Sequence, residues 1–147
     1  IEMNEALHFI RKAIIDRLTN QITVDSATVP VYNRVPSDAT APYIKVFSVS
    51  HDEIDSNKDT FTLNCVTRIE AVTSFDADSG GQLTVNQMIS SILNLVRTRS
   101  SSYFDLSSDN FKVYTCINEG VSYEENDEGD KTYFIGNLEL SNRVQKT

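Results

Sequence analysis

Residues 28–73, TVPVYNRVPSDATAPYIKVFSVSHDEIDSNKDTFTLNCVTRIEAVT, decide the fold. Val29, Val31 and Val35 surround Pro30, Tyr32 and Asn33. A proline cannot donate a ladder hydrogen bond, so this short strand belongs at a sheet edge or begins at Pro30. The segment PSDATAP, stiffened by Pro36 and Pro42, then carries the chain to Tyr43. From Tyr43 to Ser50 the residues alternate, with Ile44, Val46, Ser48 and Ser50 on one face and Tyr43, Lys45, Phe47 and Val49 on the other. Neither face is wholly polar, which fits a strand covered on both sides or one with a face in a subunit contact. The run Thr60 to Thr73 alternates more cleanly. Phe61, Leu63, Cys65, Thr67, Ile69, Ala71 and Thr73 share one side, and Thr60, Thr62, Asn64, Val66, Arg68, Glu70 and Val72 share the other.

Between these strands lies HDEIDSNKD, residues 51–59, too long for a tight hairpin and too polar for a core. It reads as a loop, either solvated or reserved for contact. Its His51, Asp52, Glu53, Asp55 and Asp59 match no calcium or zinc spacing, so no metal is expected there.

Upstream, Leu7, Ile10, Ile14 and Leu18 recur at helical spacing, predicting an amphipathic helix from Asn4 to Thr19 with Asn4 as N-cap and Glu5 in the first turn. Residues 19–28 are polar and carry no clear pattern. Downstream, SFDADSGG (74–81) is a turn into a second helix over Leu83 to Arg97, marked by Val85, Met88, Ile89, Ile92, Leu93 and Val96, with Asp78 or Ser79 as its cap. Gly80-Gly81 lacks the rest of a phosphate-binding motif. Phe111 to Asn118 alternates as one strand, with Cys116 inside it. Val121-Ser122-Tyr123 and Thr132 to Leu140 form a hairpin around the acidic tip EENDEGD, residues 124–130, where Gly129 suits a positive φ. That tip imitates a calcium loop through Glu124, Asn126, Glu128 and Gly129, but its twelfth position is Ile135, where a bidentate Glu is required.

The whole reads as one α+β domain over residues 1–147, a mainly antiparallel sheet of about five or six strands packed against two helices in the order α-β-β-β-α-β-β-β. A chain of 147 residues, 39% hydrophobic and 23% charged, is large enough for its own core. The formal net charge of −8 repels a phosphate backbone, and Arg97 and Arg99 complement a helix C-terminus instead of forming a basic patch. No nucleic-acid recognition is expected. No apolar run approaches the ~18 residues of a membrane helix, and the N-terminus lacks signal-peptide regions, so a soluble chain made in the cytosol is expected. Ile1-Glu2 ahead of Met3 suggests that Met3 is the natural start.

Cys65 and Cys116 read as buried thiols. A disulfide between them needs Cα atoms within ~7 Å, which the sequence alone does not supply. With only His8 and His51, one on a helix and one in a loop, no catalytic triad is offered, and the 21 acidic residues cluster in turns where solvent keeps them ionised. No enzyme activity and no cofactor are expected. The rival is a small metal-dependent enzyme using the acidic loops.

The order of elements, Val31-Tyr32 with Val35-Pro36, the Ala41-Pro42-Tyr43-Ile44 approach to the second strand and the helix Leu83 to Val96 together resemble the tail-completion, or tail-terminator, proteins of tailed bacteriophages. The resemblance covers nearly the whole chain. It implies a structural virion protein of the neck, assembled in the host cytoplasm, that closes into a ring of roughly six copies. Its partners would be further copies of itself, the tail tube protein it caps and the head-side connector or stopper protein it docks. A head-side stopper or adaptor ring is the nearest alternative. On this reading His51, Asp52, Glu53, Asp55, Lys58 and Asp59 in the first loop, and Glu124, Glu125, Asp127, Glu128 and Asp130 in the second, are the candidate contacts, ordered only on assembly.

Overall fold

The computed structural model describes residues 5–56, 61–77, 79–97 and 104–147. Helix α1 (Leu7–Leu18) turns Ile10, Ile14 and Leu18 into the core, and α2 (Leu83–Val96) buries Val85, Met88, Ile89, Ile92 and Val96. Each such side chain contributes about 1.5–3 kcal/mol when withdrawn from water. The strands are β1 (Thr23–Val24), β2 (Ala27–Thr28), β3 (Val31–Tyr32), β4 (Tyr43–Ser56), β5 (Phe61–Asp76), β6 (Phe111–Val113), β7 (Ile117–Glu128) and β8 (Lys131–Lys146), with a short 3₁₀ turn at Ser107–Asp109. The fold is α+β.

The main sheet runs β3-β4-β5-β8, and the far side of β8 is shared by β6 and β7. Every pairing in it is antiparallel except β3 with β4. β3 is the edge strand that Pro30 dictates, and the Pro30 carbonyl accepts from the Ile44 N–H at 2.9 Å. Both helices lie on one face, against Ile44 and Val46 of β4, Leu63, Cys65, Ile69 and Ala71 of β5, and Phe134, Leu138, Leu140 and Val144 of β8. The expected face of β5 is the buried one. Thr67 and Thr73 lie on it too, and the Thr73 hydroxyl is satisfied by donating to the Phe134 carbonyl at 3.0 Å.

Several expectations need correction. The polar segment 51–56 is strand, not loop: His51 pairs with Cys65, Asp52 with Asn64, Glu53 with Leu63, Asp55 with Thr62 and Ser56 with Phe61. β5 supplies a full backbone template here, and a ladder does not require apolar side chains. Lys58 and Asp59 lie outside the described residues. The stretch 124–128 is likewise strand: Glu124, Glu125, Asp127 and Glu128 pair with Ile135, Phe134, Thr132 and Lys131. Only Gly129 and Asp130 form the turn, with Gly129 at φ 63°, in keeping with the two-residue turns that place Gly first.

A register shift between Ser48 and Ser50 leaves Val49 unpaired. Beyond it the alternation inverts, so Ser50 lies on the face opposite Ser48 while His51 and Glu53 join the helix side. The expected strand Phe111–Asn118 is broken after Val113, and Cys116 sits in the break. There the Thr115 carbonyl accepts from Asn142 Nδ2 and its hydroxyl from the Arg143 N–H, both at 3.0 Å, which satisfies groups a continuous ladder would otherwise hold. β1 and β2 form a small hairpin inside the segment that carried no clear pattern, turning at Asp25 and Ser26, both at positive φ.

The helix starts differ from expectation as well. Asn4 lies outside the described residues, and the Glu5 carboxylate accepts from the Leu7 N–H and, at 3.3 Å, from the His8 N–H. At α2 the N-cap is Gln82, without a side-chain bond. Ser79 instead donates to the Asp76 carbonyl at 2.8 Å, and Asp78 is outside the described residues.

Candidate functional site

Among the described residues the helices cover one face of the sheet, and the other is covered only at one end, by the 36–42 connection. This second face carries Tyr43, Lys45 and Phe47 from β4, then Val66, Arg68, Glu70 and Val72 from β5, and Tyr133, Ile135, Asn137 and Glu139 from β8, none of them paired across to the helix side. Most are half-buried, as expected of a pleated surface whose long side chains cover one another. At its centre Arg68 and Glu139 form an ion pair, with the Arg68 guanidinium 5.9 Å and the Lys45 ammonium 4.9 Å from the Phe47 ring centre. Ion pairs this exposed stabilise by less than ~1 kcal/mol.

The 36–42 connection folds over one end of this face. Ala39, Thr40 and Ala41 wall a cavity of about 460 Å³ floored by Tyr43, Glu70, Val72, Ser74, Tyr133 and Ile135. Burial there, followed by the nearby Glu70, Tyr133 and Glu128, raises the Tyr43 phenol above its ordinary range, so it stays protonated at neutral pH.

The two groups of predicted contact residues sit far apart. β5 and β8 are antiparallel, with Thr62 opposite Gln145 and Asp76 opposite Lys131. The β4–β5 arm therefore points from one end of the sheet and the β7–β8 turn from the other, roughly 45–50 Å away at ~3.3 Å per residue. His51 is half-buried, whereas Asp52 and Glu53 are exposed. Glu124, Glu125, Asp127, Glu128 and Asp130 are all exposed. Glu124 accepts from Asn137 Nδ2 and Asp127 from the Thr132 hydroxyl, both at 2.9 Å, while Lys131 reaches Asp76 at 3.3 Å instead of the acids of β7. The turn end is thus strongly negative.

One juxtaposition was not visible in the sequence. His51 and Cys65 are cross-strand neighbours, which brings an imidazole and a thiol to the same place. The pairing does not activate the thiol: burial pushes Cys65 up to about 12, and Glu5 works in the same direction. Burial raises Cys116 too, and its Sγ lies 3.2 Å from the Val96 carbonyl. Both cysteines are free and buried. A catalytic cysteine needs an opposite environment, exposed and electropositive. Among the described residues, no three His, Cys, Asp or Glu side chains come together in a way that could hold a metal ion, and no helix is long and apolar enough to cross a membrane.

The exposed apolar side chains were also missed. Val49 and Ile54 on β4, and Ile117 and Tyr123 on β7, all stand open to solvent, with Val121 half-buried between the last two. The signal for them was present, since Ile117, Val121 and Tyr123 punctuate an otherwise polar run. No protein-family model matches the chain, and comparison with curated proteins finds no match either.

Proposed function

We propose that this chain is a structural subunit of a tailed-phage virion that closes into a ring at the head–tail joint, capping the tail tube and docking it to the head-side connector. One observation carries the reading. With the small β1–β2 hairpin set aside, the chain runs helix, three strands, helix, three strands. Its VYNRVP segment supplies the edge strand, and its APYI segment opens the long one. That is the order on which the resemblance rests.

Two further features agree with it. Contact residues at opposite ends of one long sheet suit a subunit that must meet a tube on one side and a connector on the other. The uncovered face and free strand edges provide the unlike surfaces that a head-to-tail ring requires. On this reading the protein is built in the host cytoplasm and resides in the virion neck.

The test is reconstitution. Tails made without this protein are incubated with the purified chain and imaged by negative-stain electron microscopy, then mixed with DNA-filled heads. A new ring at the head-proximal end of the tube and a gain of joined particles are expected. Binding to isolated heads with no binding to tails would place the chain on the head side as a stopper. Binding to neither would overturn the reading.

A further inference from the structure

Among the described residues, β7 and β4 are the two long open edges of the main sheet. β7 pairs with β8 alone along its 12 residues, and β3 covers only Ile44 and Lys45 of β4. The run from Val46 to Ser56 is left with an unpaired outer side. β7 is exposed at nearly every position and contains neither Pro nor Lys, the residues that most often blunt a sheet edge. Such an edge offers a row of unpaired N–H and C=O groups to another strand.

We propose that β7 of one copy adds antiparallel to β4 of the next, joining copies head to tail through their sheets. This rests on the ring reading above, because a head-to-tail contact uses both edges of every copy, whereas a symmetric pairing of like edges leaves one open.

Charge selects the direction. In both strands the acids gather in the C-terminal half: Asp52, Glu53 and Asp55 in β4, and Glu124, Glu125, Asp127 and Glu128 in β7. A parallel pairing lays one acidic half on the other, and like charges directly opposite destabilise a ladder. An antiparallel pairing with full overlap sets each acidic half beside the other strand's neutral half. It brings Ser50 beside Glu124 and Asp52 beside Ser122, with Glu119 near Asp55 the single like-charged pair. These matched positions also lie on one face, since Ser50 and Asp52 are opposite Val66 and Asn64 while Glu124 and Ser122 are opposite Ile135 and Asn137. The contact covers the exposed Val49, Ile54 and Tyr123.

The experiment uses the full chain with cysteines at the matched positions, the native thiols being buried. Ser50→Cys chains are mixed with Glu124→Cys chains, and Asp52→Cys with Ser122→Cys, then oxidised. Each mixture is compared with each variant alone while mass is followed by light scattering. Disulfide dimers roughly ten-fold more abundant in the mixtures are expected, since a bridge forms only where Cα atoms come within ~7 Å. Oligomers without mixed cross-links, or with β7–β7 links dominating, would overturn this edge pairing and leave the ring reading standing. A chain that stays monomeric to ~1 mM and gives no mixed cross-link overturns the pairing as well. Capping of tails, scored separately, then decides the ring reading by itself.

Discussion

Gly136 is the point at which α2 and β7 are both seated on β8. It lies on the helix side of β8, opposite Ala71 on one strand and Tyr123 on the other. A Cβ there would fall 2.9 Å from Ile89 Cγ1, 3.2 Å from Ile89 Cδ1 and 3.2 Å from Tyr123 Cε1. Carbon atoms are at their optimum at ~3.5–4.0 Å, so even one methyl overlaps its neighbours by roughly half an ångström. Ile89 is itself buried and cannot swing into solvent. Overpacking of this kind costs about 1–3 kcal/mol. For Gly136→Ala, reduced freedom of the unfolded chain returns about 0.5–1 kcal/mol, leaving a net loss near 1 kcal/mol. Gly136→Val adds two more methyls and is expected to lose roughly 2–3 kcal/mol. The assay is urea unfolding, with a lower midpoint at unchanged m-value. Ile89→Ala alone is expected to cost about 2–5 kcal/mol by leaving a cavity, but in the double variant the valine fills part of it, so the two losses should fall short of additivity by at least ~1 kcal/mol. A Gly136→Val protein within ~0.5 kcal/mol of the parent, or an additive cycle, would refute the close approach of α2 to β8.

Cys65 provides a pH test. Its thiol is pushed up to about 12 from an ordinary value of 9.0, so the stability it adds is complete below about pH 9 and is lost as pH rises towards 12. Unfolding midpoints measured between pH 8 and 11 should fall more steeply for the parent than for Cys65→Ala, and a thiol reagent at pH 8 should react only as the chain unfolds. At the turn, Gly129→Ala places a side chain at φ 63° and should cost about 1 kcal/mol by the same denaturation assay, while Gly81→Ala, with open space around it, should cost less. Glu5→Gln weakens the acceptor that two N–H groups share at the start of α1, and a loss of roughly 0.5–1 kcal/mol with reduced helical circular dichroism on heating is expected. Glu139→Gln should change stability by less than ~1 kcal/mol, with the difference shrinking as salt is added.

The parts that were legible in the sequence are those where one face is apolar over a full element. Val85, Met88, Ile89, Ile92 and Val96 marked α2 to within a residue of its end, and the alternation from Leu63 to Thr73 named the buried side of β5. What escaped were strands held by backbone pairing with little side-chain burial. The polar residues of 51–56 and 124–128 are strand because Phe61–Cys65 and Lys131–Ile135 lie beside them as templates, and such pairing leaves no hydrophobic period to read. The β1–β2 hairpin was missed for a related reason, since its turn has Ser26 at the second positive-φ position, where Gly is the usual residue. For the site, Asp52, Glu53, Glu124, Glu125, Asp127, Glu128 and Asp130 are exposed. Their placement at opposite ends of the sheet depends on strand order, which a linear reading did not contain.

The unpaired Val49 has a consequence for how this protein can vary. It acts as a change of phase within one strand, so the segment before it answers to the helices while the segment after it can be rewritten under separate constraints. Were Val49 instead paired in the ladder, opposite Val66, the alternation of the sequence would run unbroken and every side chain from Ser50 to Glu53 would exchange faces, setting Asp52 against the core and His51 against solvent. The arm therefore owes its outward-facing chemistry less to the residues it contains than to the one residue that stands out of line before them.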